Sequence, residues 1–117
     1  MPTAVALLER MIEDVFNEPD PARRAAAIAE VFTEDVVFTD AERTVTGHEE
    51  LGATVTGLLA QGPGLVFTPA GPFRGVGDLG MRAWRLGPPG GDPVLGGLDV
   101  AHVVDGRIAR LWTIIEA

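Results

Sequence analysis

Asp99 is the residue of this 117-residue chain whose position most suggests chemistry. It lies in the run 95–104, whose other residues are mostly apolar or glycine, as in a buried β-strand. Residues two apart on a strand share a face, so Asp99 belongs with Leu95, Ala101 and Val103. A carboxylate on an apolar face is costly unless it is paired, hydrogen-bonded or protonated. Asp99 is therefore either a structural acid with a hidden partner, such as Arg82 or backbone amides near Gly96, or a functional one.

Asp40 is the second candidate acid. It directly follows a short predicted strand, 36–39, and strand parity places it on the same face as Val36 and Phe38. An aspartate at this point also commonly begins a turn by accepting hydrogen bonds from its own backbone, and the residues alone slightly favour that role. Two aspartates that face one cavity would be harder to explain structurally.

Missing residue types narrow the chemistry further. The chain contains no Cys, Tyr, Lys or Ser, and all nine basic residues are Arg. This composition excludes a Ser or Cys nucleophile, a Schiff-base lysine, a phenolic acid, disulfides and thiolate metal ligands. The two histidines, His48 and His102, lie on different predicted elements, which is a weak pattern for a metal site. We expect carboxylate acid–base chemistry without a metal or another cofactor.

Charge and hydropathy exclude several classes of partner. The net charge of -8 disfavours nucleic acid, because binding to phosphates requires clustered cations. No run approaches eighteen apolar residues, so we expect no membrane span, and the N-terminal stretch does not resemble a signal peptide. Together with the absence of cysteine, this favours a cytoplasmic protein. The length predicts one domain, 1–117.

The candidate acids must be positioned by helices that precede a run of strands. Apolar periodicity predicts helices over 4–16, from Pro21 to about Phe32, and after a Thr46 cap with Glu49 three residues on. Strands are then expected at 65–68, 79–86, 94–104 and 107–115, with a bulge or bend at Gly96-Gly97 and a type I′ turn at Asp105-Gly106. This order predicts an α+β fold, a cone-shaped curved antiparallel sheet with the N-terminal helices packed on its concave face.

Three segments together resemble the nuclear transport factor 2-like superfamily, in its SnoaL-like branch of polyketide cyclases and relatives of ketosteroid isomerase. They are the run 31–40, the helix start Thr46-Gly47-His48-Glu49, and the terminal hairpin from Asp99 through Asp105-Gly106-Arg107-Ile108 to Trp112. The resemblance implies that Asp40 is a general base next to a substrate carbonyl and that Asp99 is an acid that stays protonated. It also implies a tyrosine on the first helix, where this chain has Met11.

The resemblance implies a cavity for a small apolar molecule, cyclic or polyketide-like. We predict as its walls Phe38, Leu51, Val55, Phe67, Arg82, Trp84, Leu111 and Thr113. The outer sheet face, with His102, Arg110, Trp112 and Ile114, is expected to form a homodimer. Whether the chain is an enzyme stays open: a non-catalytic ligand-binding or dimerisation module is the alternative to an isomerase or cyclase. A third possibility comes from a resemblance to epoxide hydrolases of the same superfold, which implies an Asp-Arg-Asp arrangement. Arg82 and Asp99 match two of its places, and Thr113 or Trp112 falls where the remaining carboxylate is expected.

Overall fold

Three helical elements precede most of the sheet. In the computed structural model, which describes residues 2–116, the helices are α1 (Ala4–Arg10), which runs on into a π-helical segment (Met11–Phe16), α2 (Pro21–Val31) and α3 (His48–Gln61). Asp20 caps α2 as predicted, because its carboxylate accepts the Arg23 amide N–H at 3.2 Å and Pro21 occupies the first turn. Among the described residues no helix is both long and apolar enough to cross a bilayer.

Six strands form one curved sheet. They are β1 (Phe32–Thr39), β2 (Thr44–Thr46), β3 (Val66–Val76), β4 (Leu79–Gly87), β5 (Leu95–Val104) and β6 (Arg107–Glu116), in the order β2-β1-β6-β5-β4-β3. The α+β prediction is confirmed. One pair departs from the expected antiparallel pattern, because β1 runs parallel to β6 and makes the sheet mixed. The parallel pairing is possible because β2, α3 and three strands separate β1 from β6 and let the chain return in the same direction.

The core lies between the helices and the inner face of the sheet. Strand alternation turns Phe38 of β1, Ala101 of β5 and Leu111 of β6 toward the helices, where each is buried. The π-helical segment packs Met11 and Val15 against them, and both are fully buried. This arrangement leaves Asp99, on the same face as Ala101, beneath the helical layer.

Two local predictions require correction. The N-cap of α3 is Gly47 (φ 88°) rather than Thr46, and it is Glu50, not Glu49, whose carboxylate accepts the Thr46 amide N–H at 2.8 Å. The β4–β5 ladder runs without a register shift through Gly96 and Gly97, so the expected bulge is absent there. The predicted turn at Asp105-Gly106 is confirmed, because both residues have positive φ (50° and 78°) as a type I′ turn requires.

Candidate functional site

An apolar cavity of about 250 Å³ opens between the helical layer and the inner face of the sheet. Both candidate acids, Asp40 and Asp99, line it. The other lining residues are Ile12, Phe16, Phe38, Leu58, Leu59, Gln61, Gly62, Leu65, Phe67, Trp84, Leu86, Leu95, Thr113 and Ile115. The cavity wall is thus mostly apolar, and among the described residues its only ionisable side chains are these two carboxyls.

Asp99 is buried and is held by two donors on neighbouring strands. The Thr113 hydroxyl, directly opposite on β6, donates to Oδ1 at 2.7 Å, and the Trp84 indole Nε1–H on β4 donates to the same oxygen at 3.1 Å. Oδ2 receives no hydrogen bond from the described residues. Neither structural partner expected from the sequence, Arg82 or the backbone near Gly96, bonds Asp99; two side chains that a strand ladder brings within reach replace them.

The surroundings of Asp99 favour its neutral form. Burial raises the pKa of the Asp99 carboxyl from 3.8 to about 7, although the hydrogen bonds from Thr113 and Trp84 act in the opposite direction. Desolvation outweighs two hydrogen bonds because the apolar walls offer a carboxylate no counter-charge. Near neutral pH the site can therefore hold Asp99 either as a proton donor or as a carboxylate.

Gly97 explains how the Trp84 indole reaches Asp99. Gly97 is the register partner of Trp84, and a Cβ placed on it would lie 2.5 Å from Cε2 of the indole. The ring therefore lies across the backbone of β5, in space that only a glycine leaves free. From this position its N–H points to the carboxyl two residues further along. Gly97, where the sequence predicted a bulge or bend, instead leaves the space that the Trp84 ring occupies.

Asp40 is held in a different way. Its Oδ1 accepts the backbone N–H groups of Glu42 at 2.9 Å and Arg43 at 3.0 Å, and the Arg43 guanidinium Nε lies 3.6 Å from the same oxygen. The turn-initiating role predicted as an alternative is thus present, and it coexists with a position in the cavity wall. Two N–H donors and a cation thus surround Oδ1, while Oδ2 receives no hydrogen bond from the described residues.

The structure brings only part of the predicted wall together. Phe38, Phe67, Trp84 and Thr113 line the cavity with the two aspartates. Leu51, Val55 and Leu111 do not; they are buried in the core, because α3 and β6 turn these side chains into the helix–sheet packing. Arg82 also lies outside the wall, with its guanidinium directed to Glu9 on α1. Met11, where the resemblance implies a tyrosine, is fully buried and has no hydrogen-bond donor.

Several wall residues were not predicted from the sequence. Ile12 and Phe16 come from the π-helical segment, and Leu58, Leu59 and Gln61 come from the C-terminal end of α3. Periodicity marks the apolar ones as inward-facing but does not separate cavity wall from core. No sequence pattern indicates the role of Asn17, which holds a wall residue in place. Its side-chain amide donates to the Phe67 carbonyl and accepts the Phe67 N–H, both at 2.8 Å.

A run of aromatic rings forms one side of the cavity. Phe16 lies 6.3 Å from Phe38 and 5.8 Å from Phe67 between ring centroids, and Phe67 meets Trp84 edge-on at 5.3 Å. Such tilted contacts fix ring orientation and offer a flat ligand an apolar surface.

Within residues 2–116, no three His, Asp or Glu side chains lie close enough together to hold a metal ion.

The sequence matches the model of the SnoaL-like domain family over residues 8–111. The chain belongs to this family. A solved candidate isomerase of the SnoaL-like family from Agrobacterium tumefaciens is 26% identical, with a TM-score of 0.90 over 97% of both chains. No functionally curated protein matches the sequence.

Two further structures share the SnoaL-like fold at lower identity. A candidate ketosteroid isomerase from Kribbella flavida is 21% identical, with a TM-score of 0.72 over 96% of this chain and 76% of that one. A candidate polyketide cyclase from Sinorhizobium meliloti is 19% identical, with a TM-score of 0.74 over 92% of both chains. At these identities the likeness shows the fold, and chemistry must be argued from the site itself.

Proposed function

We propose that this SnoaL-like protein binds a small apolar ligand, cyclic or polyketide-like, and moves a proton next to its carbonyl group without a cofactor. One observation carries the proposal: two carboxyls held in opposite ways line a single apolar cavity. Two backbone N–H groups and the Arg43 guanidinium surround Oδ1 of Asp40, whereas burial raises the pKa of Asp99 to about 7. A pair of acids whose environments differ in this way is the usual basis for assigning a base and an acid.

In the proposed reaction Asp40 is the base. Its Oδ2 takes a proton from the carbon next to the carbonyl, and the C–H electron pair moves into the carbon–carbon bond of an enolate. Protonated Asp99 donates a hydrogen bond through Oδ2 to the carbonyl oxygen, where negative charge develops. The enolate then takes the proton back from Asp40 at a second carbon, so both acids return to their starting states. The apolar walls exclude water and strengthen these interactions.

The missing tyrosine sets an expectation for the rate. Met11 cannot donate a hydrogen bond, and the cavity's indole N–H and threonine hydroxyl are both directed to Asp99. Asp99 is then the one acid available to the developing oxyanion. Loss of one donor of this kind costs on the order of 10²–10³ in rate. We therefore expect slow turnover. The lack of a tyrosine at the Met11 position also favours the second candidate, a protein that binds the ligand without catalysis.

A small cyclic β,γ-unsaturated ketone such as 3-cyclohexenone tests the proposal, because its conversion to the conjugated ketone is followed by absorbance. We expect turnover that falls at least about tenfold in Asp99→Asn and Asp40→Asn, since one removes the acidic proton and the other the base. Asp14→Asn, an exposed acid outside the cavity, is the control. Equal rates in all four proteins would reject the proposal.

Binding without turnover would instead favour the second candidate. Trp84 lines the cavity whereas Trp112 does not, so Trp112→Phe leaves the Trp84 indole as the single tryptophan reporter. Ligand-dependent quenching in that variant, combined with no conversion, identifies a carrier. The third possibility, epoxide hydrolysis, gains no support, because Arg82 bonds Glu9 and Thr113 offers a hydroxyl where a second carboxylate is required.

A further inference from the structure

Arg82 faces Asp99 across the sheet without bonding it. The two residues are direct register partners in the β4–β5 ladder. Side chains so opposed lie on the same face with Cβ atoms about 4.5–5.5 Å apart, which is close enough for an arginine and a carboxylate to pair. No ion pair between them forms, and the Asp99 hydrogen bonds come from Thr113 and Trp84 instead.

The Arg82 guanidinium is held by a helix residue. Its Nη1 lies 3.4 Å from Oε1 of Glu9 on α1, and the Glu9 side chain is 55% exposed whereas that of Arg82 is 21% exposed. The buried Nε of Arg82 has no hydrogen-bond partner among the described residues. Oδ2 of Asp99 likewise receives no bond from them. Each member of the opposed pair thus keeps an unused bonding position, and Glu9 is the acid that Arg82 contacts.

We propose that Glu9 is a positioning residue: by holding the Arg82 guanidinium at the surface, it keeps this cation away from Asp99 and leaves Asp99 able to carry a proton in the cavity. The inference rests on the proposed function for the role of Asp99 as the acid. Released from Glu9, the guanidinium would donate to Oδ2 of Asp99, and the Asp99 proton would leave to solvent. The resulting ion pair could no longer donate a hydrogen bond to a carbonyl.

One other charged side chain among the described residues lines the cavity with Asp99. It is Asp40, which follows β1 and carries no positive charge that could replace Arg82. The other elements face Asp99 with neutral groups: Thr113 from β6, Trp84 from β4 and, across the cavity, Gln61 from α3. Arg82 is therefore the cation whose position can change the ionisation of Asp99.

The Trp84 indole gives a direct readout, because its N–H is bonded to Asp99. The chain has two tryptophans, so a proton–nitrogen NMR spectrum shows two indole signals, and Trp112 on the outer face serves as an internal reference. We expect the Trp84 signal to titrate with Asp99 and to stop titrating in Asp99→Asn. In Glu9→Gln we expect the midpoint to fall by one pH unit or more, a tenfold or greater loss of proton affinity.

Two controls separate positioning from loss of charge. Glu13→Gln removes the same charge from the next turn, at an exposed residue that makes no ion pair among the described residues, and its midpoint should stay near that of the parent protein. The double variant Glu9→Gln/Arg82→Gln should also return to the parent midpoint, because the released cation is gone. An unchanged midpoint in Glu9→Gln, or a shift that persists in the double variant, would overturn the inference.

The titration needs no substrate, so its outcome is separable from that of the proposed function. If the Glu9→Gln midpoint falls while no variant converts the ketone, the control of Asp99 by Glu9 stands and the catalytic proposal fails. If the ketone is converted and the Glu9→Gln midpoint does not move, the catalytic proposal stands and the control of Asp99 by Glu9 fails.

Discussion

At the residue scale, the strands on either side of Asp99 carry its two hydrogen-bond donors, Trp84 and Thr113. Strand parity alone places the carboxyl on the apolar inner face, and the structure agrees. Its donors depend on which strands become neighbours, which is a long-range property. Trp84 reaches Asp99 only because β4 pairs with β5 and because Gly97 leaves room for the ring. No local pattern around Asp99 contains that information.

The raised pKa of Asp99 predicts a particular dependence of stability on pH. Between the unfolded value of 3.8 and the folded value of about 7, the folded protein holds a proton that the unfolded chain has lost. The free energy of unfolding therefore decreases as pH rises through this window, by up to about 1.4 kcal/mol per pH unit from this group. Asp99→Asn cannot ionise and should escape this loss while keeping acceptor contacts to Thr113 and Trp84.

Urea unfolding at several pH values checks this prediction. We expect the stability of Asp99→Asn relative to the parent protein to rise between about pH 4 and pH 7, by a few kcal/mol in total, and to be constant above. Asp92→Asn, an exposed loop acid, should show no such trend. If the difference in free energy of unfolding between Asp99→Asn and the parent protein does not change with pH, Asp99 does not hold a proton in the folded state at these pH values.

At the element scale, the sequence predicts which segments are helices and strands more accurately than it predicts the local form of their ends. The first helix is expected as one regular element over 4–16, yet its last six residues are π-helical. In that segment the Asn17 N–H bonds the Ile12 carbonyl, five residues back, and Ile12 and Phe16 both line the cavity. π-helical turns often occur at functional sites, but apolar periodicity does not distinguish them from α-helix.

Asn17 joins the π-helical segment to the outermost strand. Its amide makes two hydrogen bonds with the backbone of Phe67, on the side of β3 that faces away from β4, and so takes the place of a neighbouring strand. Asn17→Ala should lower the free energy of unfolding by about 1–3 kcal/mol, because both backbone groups lose their partner. Since Phe67 is a wall residue, ligand affinity should fall as well.

Denaturant unfolding and quenching of Trp84 fluorescence measure these two effects of Asn17→Ala. Thr68→Ala, at the exposed next residue of the same strand, should change the free energy of unfolding by less than about 0.5 kcal/mol. If Asn17→Ala and Thr68→Ala behave alike, the Asn17 amide does not fix β3.

At the scale of the whole molecule, the most informative surface is the outer face of the sheet. Two rows of apolar side chains cross it in register: Met81, Val100 and Trp112 in one row, and Ala83, Leu98 and Ile114 in the next. Ile114 is 51% exposed, and the Arg110 guanidinium lies 4.8 Å from the centre of the Trp112 ring system. The helices cover the opposite face, so an apolar outer surface remains on a chain whose net charge is -8.

We propose that a second copy of this chain covers the outer face. Self-association of an acidic protein is least opposed where a cation borders an apolar patch, and Arg110 lies beside these two rows, with His102 as its register partner. A two-fold dimer would bring the same strip of each protomer together, which is the commonest arrangement of homo-oligomers. The alternation of β5 and β6 already indicates this face in the sequence, whereas only the fold shows that the helices pack on the other face.

Light scattering coupled to size-exclusion chromatography decides this proposal. We expect the parent protein to elute with the mass of a dimer and Ile114→Glu with that of a monomer, because a buried unpaired carboxylate in the interface costs several kcal/mol. Ala26→Glu is the control: Ala26 is exposed on α2, on the helical side of the sheet, and this variant should stay dimeric. A monomeric parent protein, or an Ile114→Glu variant that remains a dimer, would show that the outer face is not the contact between copies.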